Sequence, residues 1–172
     1  YGYKDFVIAL GYKAEVIKNY FANYYLGQND YTVNLSSGHT VMNSNGDLDW
    51  NVTLVDTGLN TMTGGRLKRL CEHLKGETFM LTYGDGVANV DIKELVEHHQ
   101  NSNNLVTLTA VRPTARFGEL ELNDNMVTAF QEKSQLNMGW INGGFFVCEP
   151  QMLDFIADDS VMLEREPLEI IA

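Results

Sequence analysis

An α/β fold, with a mixed, mainly parallel sheet and helices on both faces, is the architecture this sequence predicts. Three observations carry the prediction. Short apolar runs rich in β-branched and aromatic residues recur along the first two-thirds of the chain. Between most of them lie segments with apolar residues at helical spacing, as parallel strands joined by crossover helices require. Past Pro113 that rhythm gives way to two alternating runs around Asp124-Asn125, so antiparallel strands must join the sheet.

Each element follows from local pattern. DFVIAL (5–10) is a buried strand closed by Gly11, and AEVIKNYFANYY (14–25) is a helix with Val16, Ile17, Tyr20, Phe21 and Tyr24 on one face. Residues 27–50 are polar and loop-like, with a short strand at Tyr31–Leu35. NVTLVD (51–56) is a second buried strand, followed by a glycine- and threonine-rich loop, TGLNTMTGG (57–65). RLKRLCEHLKG (66–76) is a helix that Gly76 ends. ETFMLTY (77–83) is a third strand ending at Gly84-Asp85-Gly86. DIKELVEHHQ (91–100) is a helix with Asp91 as N-cap, and LVTLTAV (105–111) a fourth strand. ELELN and MVTAFQE form a hairpin, INGGFFVCEP (141–150) a strand and PQMLDFIADD (150–159) a helix. No repeat or linker divides these parts, so residues 1–172 read as one domain.

The bulk numbers narrow the function. The 172 residues carry a formal charge of −11, which disfavours nucleic acid or an anionic membrane surface as partner. A nucleotide stays compatible, because a phosphate site needs only a few local cations and backbone N–H groups. Two cysteines are too few for a disulfide framework, so a reducing cytoplasm is expected. No apolar stretch is long enough to span a membrane.

Ligands of open parallel sheets sit beyond the carboxyl ends of the strands, where the loop after Asp56, the turn at Asp85 and the segment after Val111 fall. Thr61, Thr63, Gly64 and Arg66 occupy a loop entering a helix, where glycines admit a ligand and unpaired N–H groups attract an anion. A solvated helix-entry loop explains the same residues. Asp85 ends an apolar strand between Gly84 and Gly86. A carboxylate there suits Mg²⁺ bound together with phosphate oxygens, and a plain Asp-Gly turn is the alternative. Glu132-Lys133 puts a mobile cation at a strand end, suited to a phosphate or simply solvated. Asn142-Gly143-Gly144 interrupts an apolar strand, which calls for a bulge or for close approach of a sugar. Trp50 and Trp140 suit packing or a binding platform, with packing the ordinary role, and the adjacent His98-His99 lack the spacing of a zinc helix.

Taken in order, GYKAEVIKNYFANY, WNVTLVDTG, MTGGRLKR, YGDGVANVDI, RFGELEL, FQEK and INGGFFV resemble the sugar-1-phosphate nucleotidylyltransferases, in particular their cytidylyl branch. The resemblance implies a Rossmann-like nucleotide-diphospho-sugar transferase fold. It implies CTP and glucose 1-phosphate as substrates, with CDP-glucose and pyrophosphate as products, for the dideoxy-sugars of bacterial surface polysaccharide such as the lipopolysaccharide O-antigen. It further implies that Asp85 is a Mg²⁺ ligand and that Gly84, Thr61, Thr63, Gly64 and Arg66 contact the nucleotide. Glu132 and Lys133 match the sugar-phosphate pair, with Lys133 catalytic alongside Asp85. Gly118, Asn142 and Gly143 match the wall around the glucose. A homo-oligomer is expected of the full-length protein.

The family's signature G-G-x-G-T-R-L and a second metal aspartate have no match here. Tyr1 is not Met, and EREPLEIIA reads as a helix cut short. The chain is therefore expected to be an internal fragment, truncated at both ends, inactive alone and with an exposed sheet edge. Two rivals remain: a glycosyltransferase, which ordinarily carries D-x-D where Asp85 is followed by Gly86-Val87, and a non-catalytic nucleotide-sugar-binding or assembly module of the same fold. A different base specificity is also open.

Overall fold

The computed structural model describes residues 1–42, 48–112, 119–131 and 139–172. They form two compact units, Tyr1–Gly76 with Gln151–Ala172, and Glu77–Pro150.

In the first unit β1 (Asp5–Leu10) is followed by α1 (Ala14–Ala22) and α2 (Tyr24–Gln28). The predicted single helix is broken at Asn23, whose side chain turns back to donate to the Asn19 carbonyl at 2.8 Å. A hairpin of β2 (Tyr31–Val33) and β3 (Thr40–Met42) follows. The sequence suggests a strand to Leu35, but Asn34 opens a turn in which its Oδ1 accepts from the N–H groups of Ser36 and Ser37 at 3.0 and 3.1 Å. Then β4 (Asn51–Asp56) pairs in parallel with β1, from Asp5 opposite Asn51 to Leu10 opposite Asp56. The long connection between them permits this, since parallel neighbours need a crossover. Next come α3 (Thr63–Arg69) and α4 (Cys71–Leu74), separated at Leu70. The helix thus begins three residues before the expected start and takes in Gly64-Gly65.

In the second unit β5 (Phe79–Thr82) leads to α5 (Ile92–Gln100) and β6 (Val106–Val111). The hairpin β7 (Glu119–Asn123) and β8 (Met126–Gln131) precedes β9 (Ile141–Cys148). Asp91 caps α5 as expected, accepting from the N–H groups of Lys93 and Glu94 at 3.0 and 3.1 Å. Asp124 and Asn125 both take positive φ, 45° and 65°, which makes the tight hairpin turn their sequence suggests.

The mixed α/β class is borne out. The pairing is less parallel than the strand–helix rhythm suggests: β9 lies between β5 and β6 and runs antiparallel to both. Its Phe146, Val147 and Cys148 are fully buried, and the most buried strand takes the middle of the sheet. As a result β5 and β6 point the same way, Val111 ending opposite Ile141 at the start of β9 and Thr82 opposite Phe145.

The chain then returns to the first unit through a 3₁₀ turn, Pro150–Phe155, where a regular helix was expected, and ends in α6 (Glu166–Ile171) with Pro167 in its first turn. Leu10, Leu67, Leu70, Met152, Leu153, Ile156 and Leu163 are the buried apolar residues of this unit. Among the described residues β1 is paired on one edge only, and α1 buries no side chain, leaving Val16, Ile17 and Tyr20 exposed.

Candidate active site

Because β1 and β4 are parallel, Leu10 and Asp56 end at the same edge of their sheet. The Leu10 carbonyl accepts three hydrogen bonds there: from the Thr57 N–H at 2.8 Å, the Thr57 hydroxyl at 2.8 Å and Arg66 Nη1 at 3.1 Å. Arg66 Nη1 also donates to Thr57 Oγ1 at 2.8 Å, and Nη2 to the Leu59 carbonyl at 3.3 Å. A cation in the first turn of a helix is electrostatically awkward. Arg66 resolves this by folding onto oxygen dipoles at the strand ends. Gly11 makes room for it, since a Cβ there would stand 2.6 Å from Nη2. The loop beyond β4 is tightened further by Gly58, at φ +91°, whose N–H donates to Asp56 Oδ1 at 3.0 Å.

The start of α3 corrects one expectation. The N–H groups of Gly64 and Gly65 are not open to a ligand, because both donate to the Val161 carbonyl, at 3.0 and 3.3 Å. The Met62 N–H donates to the Asp159 carbonyl at 2.8 Å. Thr63 Oγ1 donates to Glu164 Oε2 at 2.7 Å and accepts from the Leu163 N–H at 2.9 Å. Arg69 forms a two-pronged ion pair with Asp159, its Nε donating to Oδ1 at 2.9 Å and its Nη2 to Oδ2. The bond from Arg69 holds the Asp159 carboxyl below the usual carboxylate range. Both glycines are needed for this contact. A Cβ at Gly64 would stand 2.8 Å from the Val161 carbonyl oxygen, and one at Gly65 2.7 Å from that of Asp159.

In the second unit Asp85 lies exposed just past β5. A Cβ at Gly84 or Gly86 would meet nothing within 4 Å, so the turn is open on both sides. Tyr83, directly before it, is held by its hydroxyl, which accepts from Asn142 Nδ2 at 2.9 Å, and by an edge contact with Phe146, ring centroids 5.9 Å apart. Asn142 Oδ1 accepts from the Gly144 N–H at 2.8 Å. The pairing of β6 with β9 slips between Leu108 and Ala110, leaving extra residues of β9 opposite Thr109. Gly144 takes φ +82° in this bulge, and a Cβ at Gly143 would fall 2.7 Å from Thr109 Oγ1. A bulge is thus sufficient reason for both glycines.

Sequence reasoning passed over two residues at this end of the sheet, Tyr83 and Arg112. Tyr83 couples Asn142 to the Asp85 turn. Arg112, one residue past β6, stacks over the Trp140 ring at 4.7 Å, and Trp140 is 65% exposed, which removes it from the core. Trp50, also more than half exposed, tilts against Phe6. No local signal links Arg112 to Trp140, because they meet only through the pairing of β6 with β9. Away from the turn, the buried His99 joins Thr107 Oγ1 at 2.8 Å to Glu149 Oε1 at 3.1 Å. Glu149 is held below the usual carboxylate range, first by the Thr78 hydroxyl and then by His99.

The sequence candidates thus fall into two groups. Thr61, Thr63, Gly64 and Arg66 come together in the first unit, and Gly84, Asp85, Asn142 and Gly143 in the second. Gly118, Glu132 and Lys133 lie outside the described residues. Among the described residues no three His, Cys, Asp or Glu side chains cluster as a metal cage. Mg²⁺ asks for less than that, one or two carboxylates with phosphate oxygens and water completing the shell, and an exposed carboxylate in an open turn fits.

Residues 21–172 match the model of the nucleotidyl transferase family. The whole chain is 47% identical to a glucose-1-phosphate cytidylyltransferase of Salmonella typhimurium, covering 67% of it. The chain belongs to the nucleotidyl transferase family. A second relative, a probable glucose-1-phosphate cytidylyltransferase of Bacillus subtilis, is 39% identical over the whole chain and is likewise 67% covered. The chain therefore spans about two-thirds of the length of these nucleotidyl transferases. Its fold is similar to that of HddC from Yersinia pseudotuberculosis, with a TM-score of 0.63 at 18% identity, covering 99% of this chain and 67% of that one. Among the described residues no helix is long and apolar enough to cross a membrane.

Proposed function

We propose that the protein transfers a cytidylyl group from CTP to glucose 1-phosphate, giving CDP-glucose and pyrophosphate. Identity of 47% along the whole chain to a glucose-1-phosphate cytidylyltransferase carries this reading. The open carboxylate turn at Asp85 supports it independently, because nucleotidyl transfer demands positioning and charge neutralisation more than covalent catalysis.

In the proposed reaction a phosphate oxygen of glucose 1-phosphate attacks the α-phosphorus of CTP in line. One P–O bond forms, the bond from the α-phosphorus to the bridging oxygen breaks, and pyrophosphate leaves with that electron pair. The attacking phosphate is already anionic, so no general base is required. Lys133 neutralises the sugar phosphate beside Glu132, while Gly118, Asn142 and Gly143 wall the glucose. Arg66 and Thr61 shape the nucleotide loop, with Thr63 and Gly64 at its exit, and Gly84 lies against the nucleotide. Asp85 would hold Mg²⁺, which when bound would screen the phosphate charges. The product supplies dideoxy-sugars of surface polysaccharide, and the enzyme acts in the cytoplasm as a homo-oligomer.

The test is pyrophosphate release by the full-length protein with glucose 1-phosphate and each of CTP, UTP, dTTP and GTP. Turnover with CTP well above the others is expected. Preference for another nucleotide overturns the base assignment, and nucleotide binding without any turnover points to a non-catalytic module.

A further inference from the structure

The glycine pair of MTGGRLKR invites a ligand, but the chain itself fills the space. Segment 158–165 lies against residues 62–69, about a hundred positions earlier in sequence. It takes up the N–H groups of Met62, Gly64 and Gly65, both faces of the Thr63 hydroxyl and the guanidinium of Arg69. The segment is itself braced by Asp158, whose Oδ1 accepts from the Ser160 N–H at 2.8 Å and its hydroxyl at 2.6 Å. On the other side of the loop, Arg66 fixes Thr57 and Leu59. The six residues 57–62 are therefore held at both ends. Thr61 is buried between the anchors, while Leu59 and Met62 face outward. A loop ordered before its ligand arrives loses less entropy on binding.

We propose that segment 158–165 is a strap that positions the nucleotide loop, with Glu164 and Asp159 as positioning residues that act through Thr63 and Arg69. The inference rests on the reading of residues 57–66 as the nucleotide loop, and it gives the Gly64-Gly65 pair its role: admitting the strap. A strap holding that loop controls affinity for the nucleotide and leaves the sugar phosphate side alone.

The test compares Glu164→Ala, Glu164→Gln and wild type in the full-length protein, by steady-state kinetics and by hydrogen exchange of residues 61–65. Glu164→Ala removes the acceptor of the Thr63 hydroxyl. It should raise KM for CTP about tenfold, the effect of one charge-assisted hydrogen bond, with KM for glucose 1-phosphate within about twofold. Amide exchange at Met62, Gly64 and Gly65 should accelerate. Glu164→Gln retains an acceptor oxygen and should restore both readouts. Asp159→Asn, which keeps the shape and one bond to Arg69, should move the same readouts less, and it serves as the second variant if Glu164→Ala fails to fold. Equal shifts in both KM values, or unchanged exchange at those amides, overturn the strap. If wild type makes no pyrophosphate from CTP, the substrate reading fails instead, and the exchange comparison alone decides the strap.

Discussion

At Gly65 an added Cβ would stand 2.7 Å from the Asp159 carbonyl oxygen, whereas at Gly84 and Gly86 it would meet nothing within 4 Å. The two segments look alike in sequence, each a glycine pair at the carboxyl edge of a sheet beside a charged residue. Their physics is opposite. In the first unit glycine lets two stretches of backbone touch, and the charged residue, Arg66, is turned inward onto carbonyl oxygens. In the second unit glycine leaves space around an exposed carboxylate. A glycine-rich motif therefore shows only that something must come close. Whether that is the chain or a ligand depends on what the fold brings there.

The largest effect expected from this contrast is at Asp85. Asp85→Asn in the full-length protein should lower the rate of pyrophosphate release on the order of 10²–10³-fold, as for loss of one transition-state charge contact. Its melting temperature should stay at the wild-type value. A drop in stability without a loss of rate would break the comparison. Next is the glycine pair itself: Gly65→Ala should destabilise by about 1–3 kcal/mol through overpacking, while Gly84→Ala should stay within about 0.5 kcal/mol of wild type. Urea melts of both variants measure this, and similar losses would mean that the Asp85 turn is packed as tightly as the strap.

Arg66→Lys sharpens the picture at smaller scale. A single ammonium does not span the Leu10 carbonyl, Thr57 Oγ1 and the Leu59 carbonyl, so about 1 kcal/mol of stability should go with the lost bonds. The smallest effect is the pH response of the strap. Asp159 has a carboxyl pKa lowered first by the hydrogen bond from Arg69 and then by its charge. A depressed carboxylate contributes stability that is complete above the ordinary aspartate range and is lost as pH falls through the lowered value. Asp159→Asn should therefore flatten the acid limb of the stability–pH curve slightly. High salt should mimic it, because the pair is solvent-exposed. An unchanged acid limb would remove the ion pair from the strap's contribution.

Most strands were legible because period-2 and continuous apolar patterns act over a few residues, as at Asp5–Leu10, Asn51–Asp56 and Val106–Val111. The Asp91 cap and the Asp124-Asn125 turn were legible for the same reason: each is satisfied by backbone within three residues. The strand β3 escaped notice because Thr40–Met42 carries too short a pattern to stand apart from a polar stretch without its partner β2. The N–H partners at Gly64 and Gly65 were not legible at all, since the acceptor belongs to Val161.

By itself, then, the sequence determined most of the strands, the Asp91 cap, the Asp124-Asn125 turn and that Asp85 follows a strand between two glycines, because these depend on the stereochemistry and hydrogen bonding of neighbouring residues. Tertiary structure alone decided that β9 inserts between β5 and β6, that Arg66 faces the strand ends and that Gly64-Gly65 receives segment 158–165. Each of those joins groups tens of residues apart, and which of them meet is settled by packing apolar side chains and pairing buried polar groups across the whole unit.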